Sequence, residues 1–319
     1  MGIIGLVVYI IGTYIFLRML YHIWLCIQEI FLIKELDLIT RYGRGSWAFI
    51  TGSTDGIGFG FADNLAQRGF NVIICARDAK KLVEKKQLLE KKYPKNKFAT
   101  IQADFSESTN PALAERIAKE LEPYDVSILV NNVGLGTMGV PITETTMESS
   151  QRMVVVNCIS PVLMAKIFLE RVKQRKFRSA IIELSSVANI APLAKKEIYS
   201  ATKRFNRHFA MSVAPKVKSL VDYLILKPGF VSTPLTENRE IDAFTCDVNG
   251  CVNSTLKVLG QRDQTFGHWK HIIKGHVFGA IAWIFPMEKM GAVQGFIFGL
   301  IKYKVNGTQK TLDSKKKSK

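Results

Sequence analysis

Short apolar runs alternate with longer amphipathic segments between Ser46 and about Gly229. The runs have the length and the β-branched content of buried strands, and the segments between them have the length of helices. One such segment, Ala79–Lys92, is rich in Lys, Glu and Leu and is followed by Pro94. This alternation predicts an α/β fold with helices on both faces of a parallel sheet. The predicted strands are Trp47–Thr51, Asn71–Ala76, Phe98–Ala103, Val126–Asn131, Ala180–Leu184 and Tyr223–Lys227.

A long apolar segment precedes the alternating region. Ile3–Leu17 carry no charge, Arg18 interrupts, and Met19–Ile33 are again mostly apolar. A cleaved signal peptide would need a basic start and a small-residue cleavage site, and neither is present, so we predict an uncleaved membrane anchor. A span usually needs about 20 residues, so either the helix continues past Arg18 or its second half lies in the membrane interface. A buried core helix is the remaining alternative.

The chain is strongly basic, with a formal net charge of +17. Lys34, Arg41 and Arg44 follow the apolar segment, which by the positive-inside rule places the downstream part in the cytosol. A basic chain can also bind nucleic acid, but we find no helix-turn-helix, zinc-finger or RNA-recognition pattern and predict no such partner. A basic tail beside apolar segments is more typical of a cytosolic flank that faces anionic lipid.

A glycine-rich turn follows the first predicted strand and opens the next predicted helix. Glycine permits a sharp turn and a close approach of backbone N–H groups to a phosphate, and the positive end of the helix then faces that charge. A glycine motif alone is weak evidence, but this one has the context of a Rossmann-type, doubly wound dinucleotide site. The residues that we predict to contact the cofactor here are Gly52, Ser53, Asp55, Gly56, Ile57 and Gly58.

The ends of the next strands supply further candidates for the cofactor site. The second strand ends at Arg77. An acidic residue there would bind a ribose 2′-hydroxyl, whereas an arginine suits a 2′-phosphate, so we predict NADPH/NADP+ as the cofactor. Asp104 ends the third strand and Asn131 the fourth. Each could be a loop cap, but ligands of open α/β sheets bind at the carboxyl ends of strands.

A set of polar residues after the fourth strand suits proton transfer. Ser186 follows the fifth strand, and Tyr199 and Lys203 come later at a spacing of four, which places both on one face of a helix. A phenol has a pKa near 10, and a neighbouring ammonium favours its phenolate. The Ser186 hydroxyl can hold a substrate oxygen, and Asn157 in the preceding helix could relay a proton through water.

Other kinds of site fit the sequence less well. A Ser-His-Asp hydrolase would need a Gly-x-Ser-x-Gly elbow between strand and helix, which we do not find. There is no cluster of histidines and carboxylates that indicates a catalytic metal, so we predict none. The five cysteines are odd in number and fit no disulfide framework, which predicts reduced thiols.

These motifs, taken in this order, resemble the short-chain dehydrogenase/reductase family. The likeness runs from about Trp47 to Thr236 and more weakly beyond. Within that family the sequence is most similar to the very-long-chain 3-oxoacyl-CoA reductases and to the 17β-hydroxysteroid dehydrogenases of types 12 and 3. The motifs are Thr51-Gly-x-x-x-Gly-x-Gly58, Asn131-Asn-Val-Gly134, Asn157, Ser186, Tyr199-x-x-x-Lys203 and Pro228-Gly229-Phe230-Val231-Ser232-Thr233.

The resemblance implies a role for each matching residue. Tyr199 would be the general acid in ketone reduction, and Lys203 would lower its pKa and hold the nicotinamide ribose. Ser186 would orient the substrate carbonyl, and Asn157 would complete the proton relay. The residues expected beside the nicotinamide are Pro228, Gly229, Val231 and Thr233.

The chain beyond Pro234 is less regular. Two apolar stretches, Gly275–Met287 and Met290–Ile301, are each too short to span a bilayer. They predict either interfacial helices or the wall of an apolar substrate pocket, and the sequence leaves both open. The predicted parts are a membrane anchor with its juxtamembrane segment (1–44), a dinucleotide-binding catalytic domain (45–265) and an apolar extension with a basic tail (266–319).

The end of the chain predicts a cellular location. Its last residues, Lys316-Lys317-Ser318-Lys319, match a dilysine signal for retrieval to the endoplasmic reticulum, which acts only on a cytosolic tail. A frayed basic end is the alternative. Glycosylation sequons begin at Asn253 and Asn306, and a cytosolic catalytic domain predicts that neither carries a glycan.

Three functional hypotheses follow from the sequence and the resemblance. The first is NADPH-dependent reduction of a 3-oxoacyl-CoA in fatty-acid elongation, and the second is oxidoreduction of a steroid or another apolar alcohol by the same residues. The third is a catalytically idle membrane scaffold, which the complete set of catalytic residues argues against. The expected partners are a lipid-type substrate and the membrane, and a homodimer is compatible with the resemblance.

Overall fold

The computed structural model describes residues 2–136 and 139–284, and its centre is a seven-stranded sheet in which every neighbouring pair is parallel. The strand order is β3-β2-β1-β4-β5-β6-β9, and β7 and β8 form a separate parallel pair. The strands are β1 (Trp47–Thr51), β2 (Asn71–Ala76), β3 (Phe98–Gln102), β4 (Val126–Asn131), β5 (Ser179–Leu184), β6 (Val221–Leu226), β7 (Phe230–Val231), β8 (Thr245–Cys246) and β9 (Gln264–Thr265).

Helices cover both faces of this sheet, as the alternating pattern predicts. Two helical segments differ from the rest because their turns are π-helical, at Gln28–Leu32 and Val155–Ile159. The α-helices are α1 (Ile3–Ile27), α2 (Leu38–Tyr42), α3 (Gly56–Gln67), α4 (Ala79–Lys92), α5 (Pro111–Leu121), α6 (Met147–Val154), α7 (Ser160–Val172), α8 (Glu197–Val217), α9 (Val248–Val258) and α10 (Trp269–Ile284).

The predicted fold class is confirmed. Strands β1 and β4 lie side by side at the centre, with β2 and β3 beyond β1 and with β5, β6 and β9 beyond β4. The chain therefore adds strands in opposite directions from this point, which is the doubly wound arrangement. All six predicted strands are present, and their ends agree within two residues. The helix predicted over Ala79–Lys92 has those bounds, with Asp78 as its N-cap.

Two apolar cores, one on each face of the sheet, fix the helices. The first joins α2, α3, α4 and α9 to the sheet, and the second joins α5, α7 and α8. Alternate residues of one strand serve the two cores: Ile50 belongs to the first and Phe49 to the second. Strands that are apolar on both faces are typical of a parallel sheet covered on both sides. The carboxyl ends of β1, β4 and β5 therefore meet at one edge.

The apolar N-terminal segment is one helix that continues through Arg18 without a break. The 25 residues of α1 make it about 37 Å long, which exceeds the roughly 30 Å core of a bilayer. No residue of α1 is buried. Among the described residues, 3–32 and Met147–Val172 are long and apolar enough to span a membrane, but the second is partly buried against the sheet. Only the first is therefore a candidate anchor.

The segment after α1 is docked on the α/β core. Glu29 lies in the π-helical turn, is only 6% exposed, and accepts a hydrogen bond from the Thr265 hydroxyl of β9. Leu38 and Tyr42 of α2 are part of the first core. Further bonds join this segment to α9 and to the loop after it: Lys257 Nζ to the Ile30 carbonyl (2.9 Å), Gln261 to the Lys34 carbonyl (2.8 Å) and Arg262 to Gln28 (2.6 Å).

The last helix of the described residues, α10, lies beside α1. Nδ1 of His276 is 3.0 Å from Nδ1 of His22 in α1, and the two rings are tilted against each other. Trp269, Ile273 and Val277 are exposed on α10. The helix begins six residues before the predicted apolar stretch 275–287; the stretch 290–301 and the basic tail lie outside the described residues.

Candidate active site

The glycine turn between β1 and α3 is shaped for close approach. Gly52 has φ +64° and Gly56 has φ +51°, a region that favours glycine. Gly58 has no room for a side chain, because a Cβ there would lie 2.3 Å from the Gly52 carbonyl oxygen. Asp55 is the N-cap of α3 and accepts a hydrogen bond from the Gly56 N–H. The turn thus places the positive end of α3 at the carboxyl edge of the sheet, which fits a pyrophosphate.

Thr51 and Asn132 hold this turn against the end of β4. The Thr51 hydroxyl accepts hydrogen bonds from the N–H groups of Asn132 (3.0 Å) and Val133 (3.1 Å) and donates to the Val130 carbonyl. The Asn132 amide donates to the carbonyls of Thr51 (2.8 Å) and Gly52 (2.9 Å). The two strand ends are therefore tied together side by side.

Two of the predicted cofactor residues direct their side chains into the protein. The Ser53 hydroxyl is buried, accepts from the Cys75 N–H (2.7 Å) and faces its carbonyl. The Asn131 amide donates to Glu183 (3.0 Å) and to the Pro161 carbonyl (3.1 Å). Because these side chains bond other protein groups, only the backbone atoms of Ser53 and Asn131 are still predicted to contact a cofactor.

Arg77 and Asp104 lie where the adenosine end of a dinucleotide is expected. The Arg77 side chain is exposed just after β2. The nearest acid in sequence, Asp78, caps α4 by accepting from the Lys81 N–H (3.0 Å). One oxygen of Asp104 accepts from the backbone and the hydroxyl of Ser106. Burial would raise the pKa of Asp104, but these hydrogen bonds hold it below the ordinary value, so the residue is a carboxylate.

Ser186 stands at the end of β5 in a tightly bonded turn. Its hydroxyl accepts from the Ala188 N–H (3.2 Å) and lies 3.5 Å from the Pro228 carbonyl. The neighbouring Ser185 donates to the Lys203 carbonyl of α8 (2.7 Å). Asn189 bonds both serines, to the hydroxyl of Ser185 and to the carbonyl of Ser186. This turn thereby fixes Ser186 relative to α8.

Tyr199 and Lys203 share one face of α8, as the spacing predicts. The Lys203 ammonium lies 5.9 Å from the centre of the Tyr199 ring and donates to the Leu184 carbonyl (2.9 Å). Burial raises the pKa of Tyr199, and its hydrogen bond with Ser186 acts in the opposite direction. Burial lowers the pKa of Lys203 to about 8, although Glu183 and Cys158 favour its charged form. The structure therefore brings Ser186, Tyr199 and Lys203 together.

Asn157 lies in the second π-helical turn, with its side chain saturated. Its amide donates to the Leu135 carbonyl (2.9 Å) and to the Thr202 hydroxyl (3.0 Å), and its oxygen accepts from the Leu135 N–H (2.7 Å). Pro161 stands four residues later and has no N–H to bond the Asn157 carbonyl. A proton relay at Asn157 would therefore use the main-chain carbonyl. Thr202 in turn donates to the Tyr199 carbonyl (2.8 Å).

The segment after β6 closes the site from the opposite side. The Pro228 carbonyl accepts from the Val187 N–H (3.0 Å), beside Ser186. Val231 is buried in the β7–β8 pair. Thr233 reaches the glycine turn, since a Cβ on Gly56 would lie 3.1 Å from its methyl group. The predicted nicotinamide-flanking residues thus connect the serine turn to the glycine turn.

The Tyr199 ring lies close to Gly136 and Leu235. A Cβ on Gly136 would lie 3.5 Å from the Tyr199 ring and 3.6 Å from Leu235. Leu235 itself is exposed.

Among the residues with a clear structural task here, Thr202 and Asn189 carried no signal in the sequence, because single polar residues in a helix and a turn are common. They were missed for that reason.

The larger part of the sequence matches the model of an enzyme family. The sequence model of the short chain dehydrogenase family covers residues 46–243, which include the glycine turn, Ser186, Tyr199 and Lys203. The chain belongs to the short-chain dehydrogenase family. It is therefore an oxidoreductase by family, as the resemblance implied.

Relatives within the short-chain dehydrogenase family include enzymes of two substrate classes. The very-long-chain 3-oxoacyl-CoA reductase of Pyricularia oryzae is 30% identical over 270 residues, which cover 82% of this chain and 80% of the relative. The 17-beta-hydroxysteroid dehydrogenase type 3 of Danio rerio is 32% identical over 250 residues, 76% of this chain and 80% of the relative.

The solved structure of a 7beta-hydroxysteroid dehydrogenase has the same fold. It matches with a TM-score of 0.71 at 23% identity and covers 82% of this chain and all of the solved chain. The identity is too low to carry more than the fold.

Proposed function

We propose that this short-chain dehydrogenase reduces the 3-keto group of a long-chain 3-oxoacyl-CoA with NADPH, as a step of fatty-acid elongation. The observation that carries the chemistry is the joint placement of Tyr199, Lys203 and Ser186 at the carboxyl edge of the sheet. The similarity to very-long-chain 3-oxoacyl-CoA reductases supports the substrate class.

Each of the three residues has a distinct task in this proposal. Ser186 holds the substrate oxygen by its hydroxyl, and Tyr199 donates a proton to that oxygen as negative charge develops. Bound NADPH supplies the hydride that adds to the carbonyl carbon. The Lys203 ammonium stabilises the phenolate that remains on Tyr199. In this proposal the main-chain carbonyl of Asn157 accepts a hydrogen bond from a water that returns the proton.

The choice of NADPH rests on the charges at the end of β2. Arg77 and Asp78 are both exposed after β2, but the Asp78 carboxylate caps α4, so the Arg77 guanidinium is the candidate partner of a 2′-phosphate. A guanidinium binds a 2′-phosphate through charge-assisted hydrogen bonds worth about 1.5–3 kcal/mol. We expect Arg77→Ser to reduce the preference for NADPH over NADH by about tenfold or more. The same change at the exposed Lys80 is the control.

Steroid oxidoreduction is the second candidate, because the relative from Danio rerio is a 17-beta-hydroxysteroid dehydrogenase. The catalytic residues serve either substrate equally. Competition between a long-chain 3-oxoacyl-CoA and a 17-ketosteroid in one assay separates the two.

We further propose that α1 anchors the protein in the endoplasmic reticulum membrane with the catalytic domain in the cytosol. The exposed apolar surface of α1 and the dilysine end of the chain support this. Asn253 lies within α9 and its amide groups bond Arg68 and Asn249, which makes it a poor glycan acceptor in either topology. A glycan on Asn306, detected by endoglycosidase treatment, would place the tail in the lumen and contradict this orientation.

A homodimer is also part of the proposal. An apolar groove of about 290 Å³ lies between α7 and α8, with Leu169, Phe209 and Val213 in its lining. Phe205 is exposed beside it and stacks on Phe209. We expect Phe209→Glu to halve the protein mass measured by light scattering in detergent. An unchanged mass would remove this face from consideration.

The activity itself is tested by NADPH consumption. Detergent-solubilised full-length protein is offered long-chain 3-oxoacyl-CoA, with Tyr199→Phe as the variant and Tyr93→Phe as the matched control. Tyr93 is a half-buried tyrosine that bonds Asp63, away from the site. We expect the first variant to lose at least about a hundredfold in kcat, the typical contribution of a general acid, and the second to keep wild-type activity.

Each other outcome has a definite meaning. Turnover of a ketosteroid but not of acyl-CoA would keep the mechanism and overturn the substrate. Full activity of Tyr199→Phe would overturn the proton donor. If the wild-type protein neither binds nor oxidises NADPH, the remaining hypothesis is the catalytically idle membrane scaffold.

A further inference from the structure

His271 in the first turn of α10 joins two segments beside the catalytic site. It is 2% exposed, and neither of its ring nitrogens faces solvent. Nδ1 lies 3.2 Å from the Gly229 nitrogen, and Nε2 lies 3.2 Å from the Phe244 carbonyl oxygen. Cys246 Sγ is 3.8 Å from Nδ1. The imidazole therefore links α10 to both the Pro228–Gly229 segment and the strand β8.

The partners of His271 fix its tautomer. A backbone N–H can only donate and a backbone carbonyl can only accept, so Nδ1 accepts from Gly229 and Nε2 carries the proton that goes to Phe244. The ring is thus neutral in this arrangement. An imidazolium would have no acceptor for the Gly229 N–H.

The His271 ring lies at the end of the β7–β8 ladder, where the next pair of residues would otherwise bond each other. Phe230 pairs with Thr245 in β7–β8, so the preceding register pair is Gly229 and Phe244. The imidazole lies between the polar groups of that pair and bonds both. It also packs on Gly229, because a Cβ there would lie 2.8 Å from His271 Cδ2. A side chain at 229 would displace the ring.

The other end of the same peptide is bonded to the catalytic serine turn. The Pro228 carbonyl accepts from Val187 and faces the Ser186 hydroxyl, while the Gly229 N–H is held by His271. The peptide that joins Pro228 to Gly229 is thus fixed at its oxygen by the serine turn and at its nitrogen side by α10. Neither anchor alone would set its orientation.

We propose that His271 is a positioning residue for NADPH: it holds the Pro228–Gly229 segment in the conformation that accommodates the nicotinamide. This inference rests on the proposed cofactor role of that segment. It assigns no contact between His271 and the reacting atoms. It gives α10, which lies outside the region matched by the family model, a part in cofactor binding through the Pro228–Gly229 segment.

The test compares three substitutions at 271 with one at a neighbouring histidine in the full-length detergent-solubilised protein. His271→Phe keeps a planar ring and removes both hydrogen bonds. His271→Asn puts an amide oxygen where Nδ1 stands and keeps the bond to Gly229, whereas His271→Gln reaches only toward Phe244. His268→Phe is the control for a general disturbance of α10, since His268 accepts from the Lys270 N–H in the first turn (3.3 Å) and lies beside the His271 ring, but packs on Gly250 rather than on Gly229.

NADPH affinity from fluorescence titration is the main readout, with kcat and KM as the second. We expect Kd for NADPH to rise about five- to tenfold in His271→Phe and His271→Gln, as for one lost hydrogen bond. His271→Asn should stay within about twofold of wild type, and so should His268→Phe. The KM for NADPH should change more than kcat, because Tyr199 and Lys203 are untouched.

Unchanged NADPH affinity in His271→Phe, or equal loss in His271→Asn and His271→Phe, would overturn the proposal. Equal loss in His268→Phe would do so too, because it would reflect a general disturbance of α10. If His271→Phe fails to fold, His271→Gln against His271→Asn decides alone. A wild-type protein that does not bind NADPH would instead refute the proposed function, which separates the two failures.

Discussion

At the scale of single residues, the site depends on how burial changes proton affinity. Burial raises the pKa of Tyr199 and lowers that of Lys203 to about 8. The tyrosine therefore keeps its proton at neutral pH, as a general acid requires, and the lysine loses its charge in mildly alkaline solution. Both shifts have the same origin, since a buried site disfavours the charged form of either group.

We expect kcat/KM for ketone reduction to be level below about pH 8 and to fall above it. Above its pKa, Lys203 is neutral and no longer stabilises the phenolate that Tyr199 becomes. A pH–rate profile with saturating NADPH checks this. A profile that stays level well above pH 8 would show that Lys203 keeps its charge in the working enzyme.

Gly58 is a residue where added volume would meet backbone directly. A Cβ would meet the Gly52 carbonyl oxygen at 2.3 Å and the Asn132 amide at 2.4 Å, and the former is backbone that cannot move aside. We expect Gly58→Ala to lower the free energy of unfolding by about 1–3 kcal/mol and to abolish NADPH binding. Gly12→Ala, also in a helix but with no atom near its Cβ, should leave both unchanged. Chemical denaturation and NADPH titration measure the two effects.

At the scale of elements, the most informative feature is the π-helical turn before α7. A π turn displaces the usual hydrogen bonds, and such turns are frequent at functional sites. Pro161 adds to this because it offers no N–H to the Asn157 carbonyl. The Asn157 carbonyl therefore lacks the hydrogen bond from residue i+4 that a regular α-helix would provide.

Pro161→Ala should weaken this arrangement. The new N–H can bond the Asn157 carbonyl as in a regular helix, which competes with the proposed water. We expect kcat to fall several-fold with NADPH affinity unchanged, since the glycine turn is not involved. Stopped-flow turnover and NADPH titration provide the comparison. A fall in both quantities together would point to a general loss of structure.

The strands were predictable and several connections were not. The strands from β1 to β6 are near-continuous apolar runs bounded by turn residues, so local pattern suffices. Strand β9 has two residues and exists only by pairing with Leu226 and its neighbour, a contact that no local pattern encodes. The inward side chains of Ser53 and Asn131 were equally hidden, because polar residues at strand ends face either the cleft or the core.

At the scale of the whole molecule, the segment that follows α1 is joined to the α/β core by hydrogen bonds. Glu29 is charged in sequence and sits at the end of an apolar helix, which suggests solvent or headgroups. The structure instead buries it against Thr265. The sequence could not indicate this because the two residues are 236 positions apart.

Glu29→Ala should therefore destabilise the protein although it lies outside the family-matched region. Removing Glu29 takes away the acceptor of the buried Thr265 O–H, while the hydroxyl oxygen still accepts from the Gly267 N–H; an unsatisfied buried donor costs about 1–3 kcal/mol. Glu35→Ala breaks only the partly exposed pair with Arg68 and should cost about 0.2–1 kcal/mol. Thermal unfolding in detergent ranks the two. Equal effects would mean that the buried contact adds nothing beyond a surface pair.

The docking of residues 28–34 also bears on how the enzyme meets its substrate. A catalytic domain on a flexible linker would move through a wide range of distances from the bilayer surface. Residues 28–34 are bonded to the edge strand β9, to α9 and to the loop after α9, so with α1 as the proposed anchor the carboxyl edge of the sheet would stay at a nearly constant height. Encounters would then be governed by lateral diffusion in the plane of the membrane, and a lipid that rarely leaves that plane would need no carrier to reach the site.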